Sequence, residues 1–481
     1  MNYKMVFYTT GRILQIEAVL MILPLAVSLI YSEVNGIFAF GVTLLLEFLF
    51  GTLATTFLKS KNRVIYAKEG FAIVALAWVL MSAVGAVPFV ISGDIPSYVD
   101  AFFETVSGFT TTGASVVSNV EAMSRGMLFW RSFTHWVGGM GVLVFVMALI
   151  PNLSERSIHI MRAEVPGPVV DKIVPKVKDT AKILYLIYMG ITVLQVFFLM
   201  LGGMDLYESL IHTFGTVGTG GFGLKADSIG GYSPYIQWVI AVFMVLSSIN
   251  FNIYYLILIR RIKAAISSSE LWCYLGIIAV STAIITFNVS HMYSGFSETL
   301  RYVFFQVSSL ISTTGFSTVN YDLWPTASKT VLILVMFVGG CVGSTAGGLK
   351  VSRVMLMVKT VAREFRTLIH PRSVSSVRLE GKHVEDRTAY GACVYFVIYM
   401  LCFFTIFFLI SFDNFDITTN FTATAATINN VGPGFGGVGP MASFAEYSAL
   451  SKIVLSVSML LGRLELYPLL LALMPGTWMK K

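Results

Sequence analysis

Four short segments of this 481-residue chain could gather backbone oxygens around a metal cation. They read Phe109-Thr-Thr-Thr-Gly113, Val217-Gly-Thr-Gly-Gly221, Ile311-Ser-Thr-Thr-Gly315 and Ile428-Asn-Asn-Val-Gly432. Each closes on a glycine, follows a short amphipathic stretch and is flanked by long apolar runs. Glycine reaches backbone angles closed to other residues, so successive carbonyls can turn to one side. Threonine hydroxyls add oxygen ligands or pin the loop. A narrow ring of carbonyls can replace the water around an alkali cation. A helix aiming its C-terminal end at the ring adds partial negative charge there. In the aligned register the ring positions are Thr110, Thr111, Thr112 and Gly113; Gly218, Thr219, Gly220 and Gly221; Ser312, Thr313, Thr314 and Gly315; and Asn429, Asn430, Val431 and Gly432. Adjacent Gly220 and Gly221 leave the second register least defined, and the fourth segment departs most, with asparagines and Pro433 in place of threonines.

A second group of residues could obstruct such a ring. The run from Val338 to Lys350 contains Gly339, Gly340, Gly343, Ser344, Thr345, Ala346, Gly347 and Gly348 inside an apolar stretch. Each glycine in a helix interior costs about 1 kcal/mol relative to alanine. Small residues also serve close helix packing, but two Gly-Gly pairs exceed that need. The spacing predicts a broken helix and an intramembrane loop, with Lys350 at its cytoplasmic end. Arg463 stands in the last apolar run, where an arginine costs about 2.5–3.5 kcal/mol on insertion scales. It should face a pore, where its charge would repel a cation, or else pair with Glu465 or reach the interface. Glu104, Glu208 and His212 fall on the short segments. They are expected to hold those segments by hydrogen bonds, with proton coupling a second role open to His212. Arg131 and His135 are expected to brace the outer mouth.

These residues need a membrane scaffold to position them. Hydrophobic residues make up 56% of the chain and charged residues only 12%, against about 25% in ordinary soluble domains. The mean hydropathy is +0.77. The apolar runs suit helices of roughly 20 residues, and the alternating strands of a membrane barrel are absent from the sequence. No cleavable signal peptide is read at the N-terminus. Cys273, Cys341, Cys393 and Cys402 all fall in or beside apolar runs and read as apolar fillers without disulfides.

The expected fold is an all-α integral membrane protein with ten transmembrane helices and four re-entrant pore helices. A helix pair (1–66) precedes four repeats of full helix, short helix with glycine loop, and full helix. The units are pore repeat 1 (67–151), a linker with pore repeat 2 (152–262), pore repeat 3 with the intramembrane loop (263–360), and a linker with pore repeat 4 (361–481). The second full helices are expected near 127–150, 235–259, 328–356 and 446–472, the third interrupted by the glycine-rich loop. Segments of about 12 residues cannot span, and non-helical backbone at membrane depth survives only inside protein or along a watery cavity. The short segments therefore point to one axis, and the repeats are parallel about the membrane normal.

Under this topology 26 of the 33 Lys and Arg lie on or beside one face, which the positive-inside rule makes cytoplasmic together with both termini. The net charge of +7 follows from that bias and signals no nucleic acid. Acidic loops on the other face either concentrate cations or are simply solvated. The basic segments 152–182 and 350–387 serve as linkers near anionic lipid or as docking faces for a soluble regulator. Gly218/Gly220/Gly223 and Gly432/Gly434/Gly437 match Gly-x-Gly-x-x-Gly, but neither sits in a βαβ unit, so no dinucleotide site is expected. No nucleophile–base constellation appears, and the chain is read as a transporter and not an enzyme.

The segments Ser107-Gly-Phe-Thr-Thr-Thr-Gly-Ala114, Thr219-Gly-Gly-Phe222, Thr313-Thr-Gly-Phe316 and Asn429-Asn-Val-Gly-Pro-Gly434 resemble those of the Trk/Ktr/HKT superfamily of potassium transporters. The extra N-terminal helix pair is closer to the TrkH branch than to the shorter KtrB branch. The resemblance implies four units around one pore per protomer and a homodimer in the cell (inner) membrane. It implies K⁺ as the transported, ring-bound ion, and a cytoplasmic TrkA-like ring that itself binds NAD or ATP. It further implies that the Gly339–Lys350 loop blocks the pore beneath the ring, that Arg463 lies in the cavity there, and that glycine at position 113 favours potassium over sodium. Gated, channel-like uptake and symport with protons or sodium both fit this resemblance.

Overall fold

The computed structural model describes residues 1–58, 66–141, 177–372 and 376–478. The expected lower end of the first repeat's second helix (142–150), most of the first basic linker (152–176) and Lys480 and Lys481 lie outside them. Cys273, Cys341, Cys393 and Cys402 are free thiols.

The chain opens with α1 (Tyr3–Leu20) and α2 (Ile22–Ile30), one apolar span of 28 residues, and α3 (Val34–Phe57) returns beside it. Pro24 has no N–H to offer Leu20, and the helix is interrupted at Met21 between them. Then come α4 (Ala67–Gly85), α5 (Val87–Ser92), the short α6 (Tyr98–Phe109) and α7 (Arg125–Gly139). The next group is α8 (Val177–Leu201), the short α9 (Leu206–Val217), α10 (Pro234–Ser247) and α11 (Phe251–Leu258). The third is α12 (Ile262–Ile266), α13 (Ser269–Val289), the short α14 (Phe296–Ile311), α15 (Thr326–Val338) and α16 (Val351–Ile369). A two-stranded hairpin of β1 (Arg378–Leu379) and β2 (Lys382–His383) leads to α17 (Asp386–Ile410), the short α18 (Ile417–Ile428), α19 (Ala449–Arg463), α20 (Tyr467–Leu473) and α21 (Pro475–Trp478).

Among the described residues six helices are long and apolar enough to cross a membrane, or seven if α10 and α11 count as one bent span. The second full helices of the second and fourth repeats are not continuous. In the second group α10 and α11 meet at 91°, because the Asn250 side chain takes the Asn252 N–H at 2.9 Å and starts a new helix. In the fourth group Pro468 denies Leu464 an N–H, and Glu465 and Leu466 turn left-handed between α19 and α20. The first group's α7 stops at Gly139, followed by left-handed Gly141.

Polarity is inverted relative to a soluble domain. The long helices turn Phe50, Val193, Phe197, Ile284, Phe287, Leu401 and Phe408 outward, as lipid contact requires. The short helices bury their C-terminal halves, including Glu104, Thr105 and Ser107 of α6, and His212, Thr213 and Thr216 of α9. At 1.5 Å per residue, a 12-residue helix such as α6 is about 18 Å long, well short of a bilayer core of about 30 Å. Three short helices start on side-chain caps, from Ser97, Asp205 and Asp416.

Candidate functional site: a ring of four loops

The four loops after the short helices share one backbone course. At the first position Thr110, Gly218, Ser312 and Asn429 still donate to the carbonyl four residues back, at 2.8, 3.1, 3.0 and 3.1 Å. At the second, Thr111, Thr219, Thr313 and Asn430 are left-handed, with φ of 53°, 56°, 56° and 54°. Side chains rarely adopt that region, β-branched threonine least of all, and each such residue stores about 1–3 kcal/mol. At the third, Thr112, Gly220, Thr314 and Val431 donate to the carbonyl five residues back, at 2.9, 2.7, 2.9 and 2.8 Å. At the fourth, Gly113, Gly221, Gly315 and Gly432 are again left-handed, with φ of 79°, 80°, 85° and 99°. The second loop thus takes the register in which Gly221 matches Gly113, and the asparagine-bearing fourth loop follows the same course as the other three.

The loops meet in cyclic order. A Cβ on Gly113 would strike the Gly220 carbonyl oxygen, one on Gly221 that of Thr314, one on Gly315 that of Val431, and one on Gly432 that of Thr112. All sixteen ring residues named from the sequence are thereby brought together. Among the described residues no hydrogen-bond donor reaches the carbonyls at the second, third or fourth positions of any loop. Buried backbone carbonyls are otherwise nearly always paired, so these oxygens form an unspent acceptor set.

The side chains bond away from those carbonyls. Thr110 and Thr112 share a 2.8 Å hydroxyl contact, and Ser312 and Thr314 one of 2.7 Å. Asn430 donates to the Thr112 hydroxyl at 3.0 Å and to the Met459 carbonyl at 2.9 Å, tying loop four to loop one. Loops one and two are tied by α7. There Phe222 N–H donates to His135 Nε2 at 3.3 Å. The His135 proton therefore sits on Nδ1, which donates to the Gly108 carbonyl at 2.7 Å. Arg131 pairs with Glu104 at 2.6 Å and lies over the Phe222 ring. Glu104 also accepts from Ser115 Oγ and Val116 N–H, both at 2.9 Å. His212 reaches Tyr232 at 3.0 Å. The Glu208 backbone N–H is taken by Asp205, and its carboxylate forms no hydrogen bond among the described residues.

The chain between α15 and α16 is non-helical from Gly339 to Lys350, as the glycine pairs predict. Gly339, Gly343, Gly348 and Lys350 are left-handed there. This loop touches the ring: Gly347 N–H donates to the Thr313 hydroxyl at 2.7 Å, and Gly348 N–H to the Asn429 carbonyl at 3.1 Å. It also takes up the carbonyls freed at the α10 break, with Thr345 Oγ1 on Ser247 at 3.0 Å and Cys341 N–H on Ser248 at 3.0 Å. Gly340 accepts from Val351, Ser344 bonds back to Cys341, and Lys350 folds over Ala346. Lys350 is thus buried within the loop. Arg463, on the last turn of α19, donates to the carbonyls of Thr345 at 2.7 Å and Gly139 at 2.6 Å, and to that of Gly138. Its guanidinium fork joins the loop to the C-terminal end of α7. Glu465 is bonded to Arg353 of α16.

Sequence reasoning missed Glu270. Its carboxylate accepts from Val342 N–H at 2.9 Å and Ser352 N–H at 3.2 Å, one near each end of the loop. It reads as an ordinary first-turn acid of α13, and its partners stand 72 and 82 residues away. Ser247 and Ser248 carried no signal for the same reason, their partners Thr345 and Cys341 standing over 90 residues away.

A family model described as "TrkH: Cation transport protein" matches residues 37–477. The Trk system potassium uptake protein TrkH of Escherichia coli (strain K12) is 34% identical over 99% of this chain and 100% of its own length. The protein of the same name from Halomonas elongata is 33% identical, with both chains covered in full. The crystal structure of the potassium transporter TrkH from Vibrio parahaemolyticus superposes with a TM-score of 0.90 at 30% identity, again over the whole of both chains.

Proposed function

The chain belongs to the TrkH family of cation transport proteins, and on that premise we propose that it carries potassium into the cell through a gated, channel-like pore. The observation that carries the proposal is the closed order of the four loops with their unspent carbonyls. Those oxygens replace the water shell of K⁺, while the C-terminal ends of α6, α9, α14 and α18 add negative potential. The filter is Thr110–Gly113, Gly218–Gly221, Ser312–Gly315 and Asn429–Gly432. Units 67–151, 152–262, 263–360 and 361–481 each supply one quarter of it, behind the helix pair 1–66.

The Gly339–Lys350 loop is the gate. It stands against the ring at Thr313 and Asn429, and Arg463 fastens it while placing a positive charge on the ion's path. Relatives are named as parts of a Trk system, which supports a cytoplasmic TrkA-like regulatory partner that binds the nucleotide. The protein works as a homodimer in the inner membrane with both termini cytoplasmic.

The test is flux in liposomes with K⁺ or Na⁺ as the only permeant cation under an imposed potential. Potassium flux with no proton or sodium gradient is expected. Flux that requires a second ion's gradient would replace this reading with symport.

A further inference from the structure

Two carboxylates stand in series between the cytoplasmic hairpin and the intramembrane loop. Glu380 occupies the β1–β2 turn with Gly381, at φ of 50° and 72°. A two-residue turn with both centres left-handed favours asparagine, aspartate or glycine, so glutamate is a strained choice there. Its carboxylate is fully engaged at the start of α13. It accepts from Ser269 N–H at 3.1 Å, Glu270 N–H at 3.0 Å, Ser269 Oγ at 3.1 Å and Ser268 Oγ at 3.2 Å. An anion capping free N–H groups at a helix start is favourable on both hydrogen-bond and dipole grounds. The next residue held, Glu270, is the one whose side chain takes Val342 and Ser352 N–H.

The hairpin itself rides on α16. Lys359 donates to the Arg378 carbonyl at 2.9 Å, and buried Val377 packs with Leu356 and Ala392. The helix leaving the loop is therefore held to α13 twice, by Glu270 at its N-terminus and by Glu380 through the hairpin.

We propose that Glu380 and Glu270 are positioning residues that transmit the state of the exposed hairpin to the gate loop. A cytoplasmic partner that draws Glu380 off the α13 N-terminus, by offering the carboxylate a cationic or amide group, loosens α13. That shifts Glu270 and frees both ends of the loop. The inference rests on the gated-pore reading above.

The test is a cycle of variants in liposomes, with no partner added. Glu380→Gln is expected to raise potassium flux about tenfold, the effect of losing roughly one charge-assisted contact, with the potassium-to-sodium ratio unchanged. Ser269→Pro is the second variant. Proline is tolerated at the first helical position, and Ser268 before it is already extended, so the helix survives while the donor is lost. Both effects must vanish in a chain lacking residues 343–347, because the residues act through the loop.

Suppose the deletion raises flux while Glu380→Gln and Ser269→Pro do nothing, or still act in the deleted chain. The relay is then overturned and the gated pore stands. A well-folded deletion without raised flux would overturn the gate itself, and the relay with it.

Discussion

Replacing a ring glycine by serine should weaken the preference for potassium over sodium, and the four positions should not respond equally. Two costs follow from the geometry. Each glycine sits at φ between 79° and 99°, where a side chain costs about 1–2 kcal/mol. The added Cβ also meets the carbonyl of the next loop. At Gly113, Gly221 and Gly315 that overlap is far inside contact distance, whereas at Gly432 the Thr112 oxygen stands 2.7 Å away. All four therefore force a ring carbonyl to move, the fourth by less than the other three. If half or more of the strain appears as lost discrimination, about 1.4 kcal/mol corresponds to a tenfold drop in the permeability ratio. We expect roughly that for Gly113→Ser, Gly221→Ser and Gly315→Ser, and a smaller change for Gly432→Ser. Potassium and sodium fluxes in liposomes, each normalised to reconstituted protein, measure the ratio. An unchanged ratio in the first three variants, or Gly432→Ser as the most damaging, would refute the ring geometry as the origin of selectivity.

Thr313→Val removes the hydroxyl that accepts from Gly347. A net hydrogen bond of about 0.5–1.5 kcal/mol should appear as a two- to tenfold rise in unstimulated potassium flux. Arg463→Ala should likewise raise basal flux. Arg463→Lys should resemble it, because one ammonium cannot reproduce a fork on Thr345, Gly138 and Gly139; wild-type flux in Arg463→Lys would leave only charge as the gate. Glu104→Gln strands Arg131, which is 3% exposed, and should cost about 3–5 kcal/mol, seen as a lower unfolding temperature in detergent. Thermal unfolding identical to wild type would mean that the pair does not brace the first loop.

The four loops were legible because their chemistry is local. Small residues ending on glycine after a short helix carry the same backbone course whether the side chains are Thr-Thr-Thr, Thr-Gly or Asn-Asn-Val. The register of Gly220 and Gly221 was the least defined, since either glycine could turn left-handed, and the structure takes the aligned one. The difference is made by the bond from Gly220 N–H to the Gly215 carbonyl at 2.7 Å, which fixes Gly220 as the third position. The 339–350 break was legible from its glycines. The breaks after α10 and α19 were not, because they arise from single residues, Asn250 and Pro468, inside runs of apolar residues that read as continuous helix.

Those breaks explain why Arg463 and the loop belong to one device. A broken helix leaves carbonyls without intrahelical partners, and at membrane depth each must find a donor. The carbonyls of Ser247 and Ser248 take donors from the loop, at Thr345 and Cys341. Those of Gly138 and Gly139 take the arginine fork, whose remaining nitrogen holds Thr345. Thr345 thus gives its hydroxyl to the broken α10–α11 helix and its carbonyl to the residue that caps the end of α7. Moving the loop strips Ser247 and Ser248 of their donors and takes from Arg463 one of its three carbonyl acceptors. The observed arrangement is therefore stabilised cooperatively, and a helix break that looks like a local defect sets how strongly the loop is held against the ring.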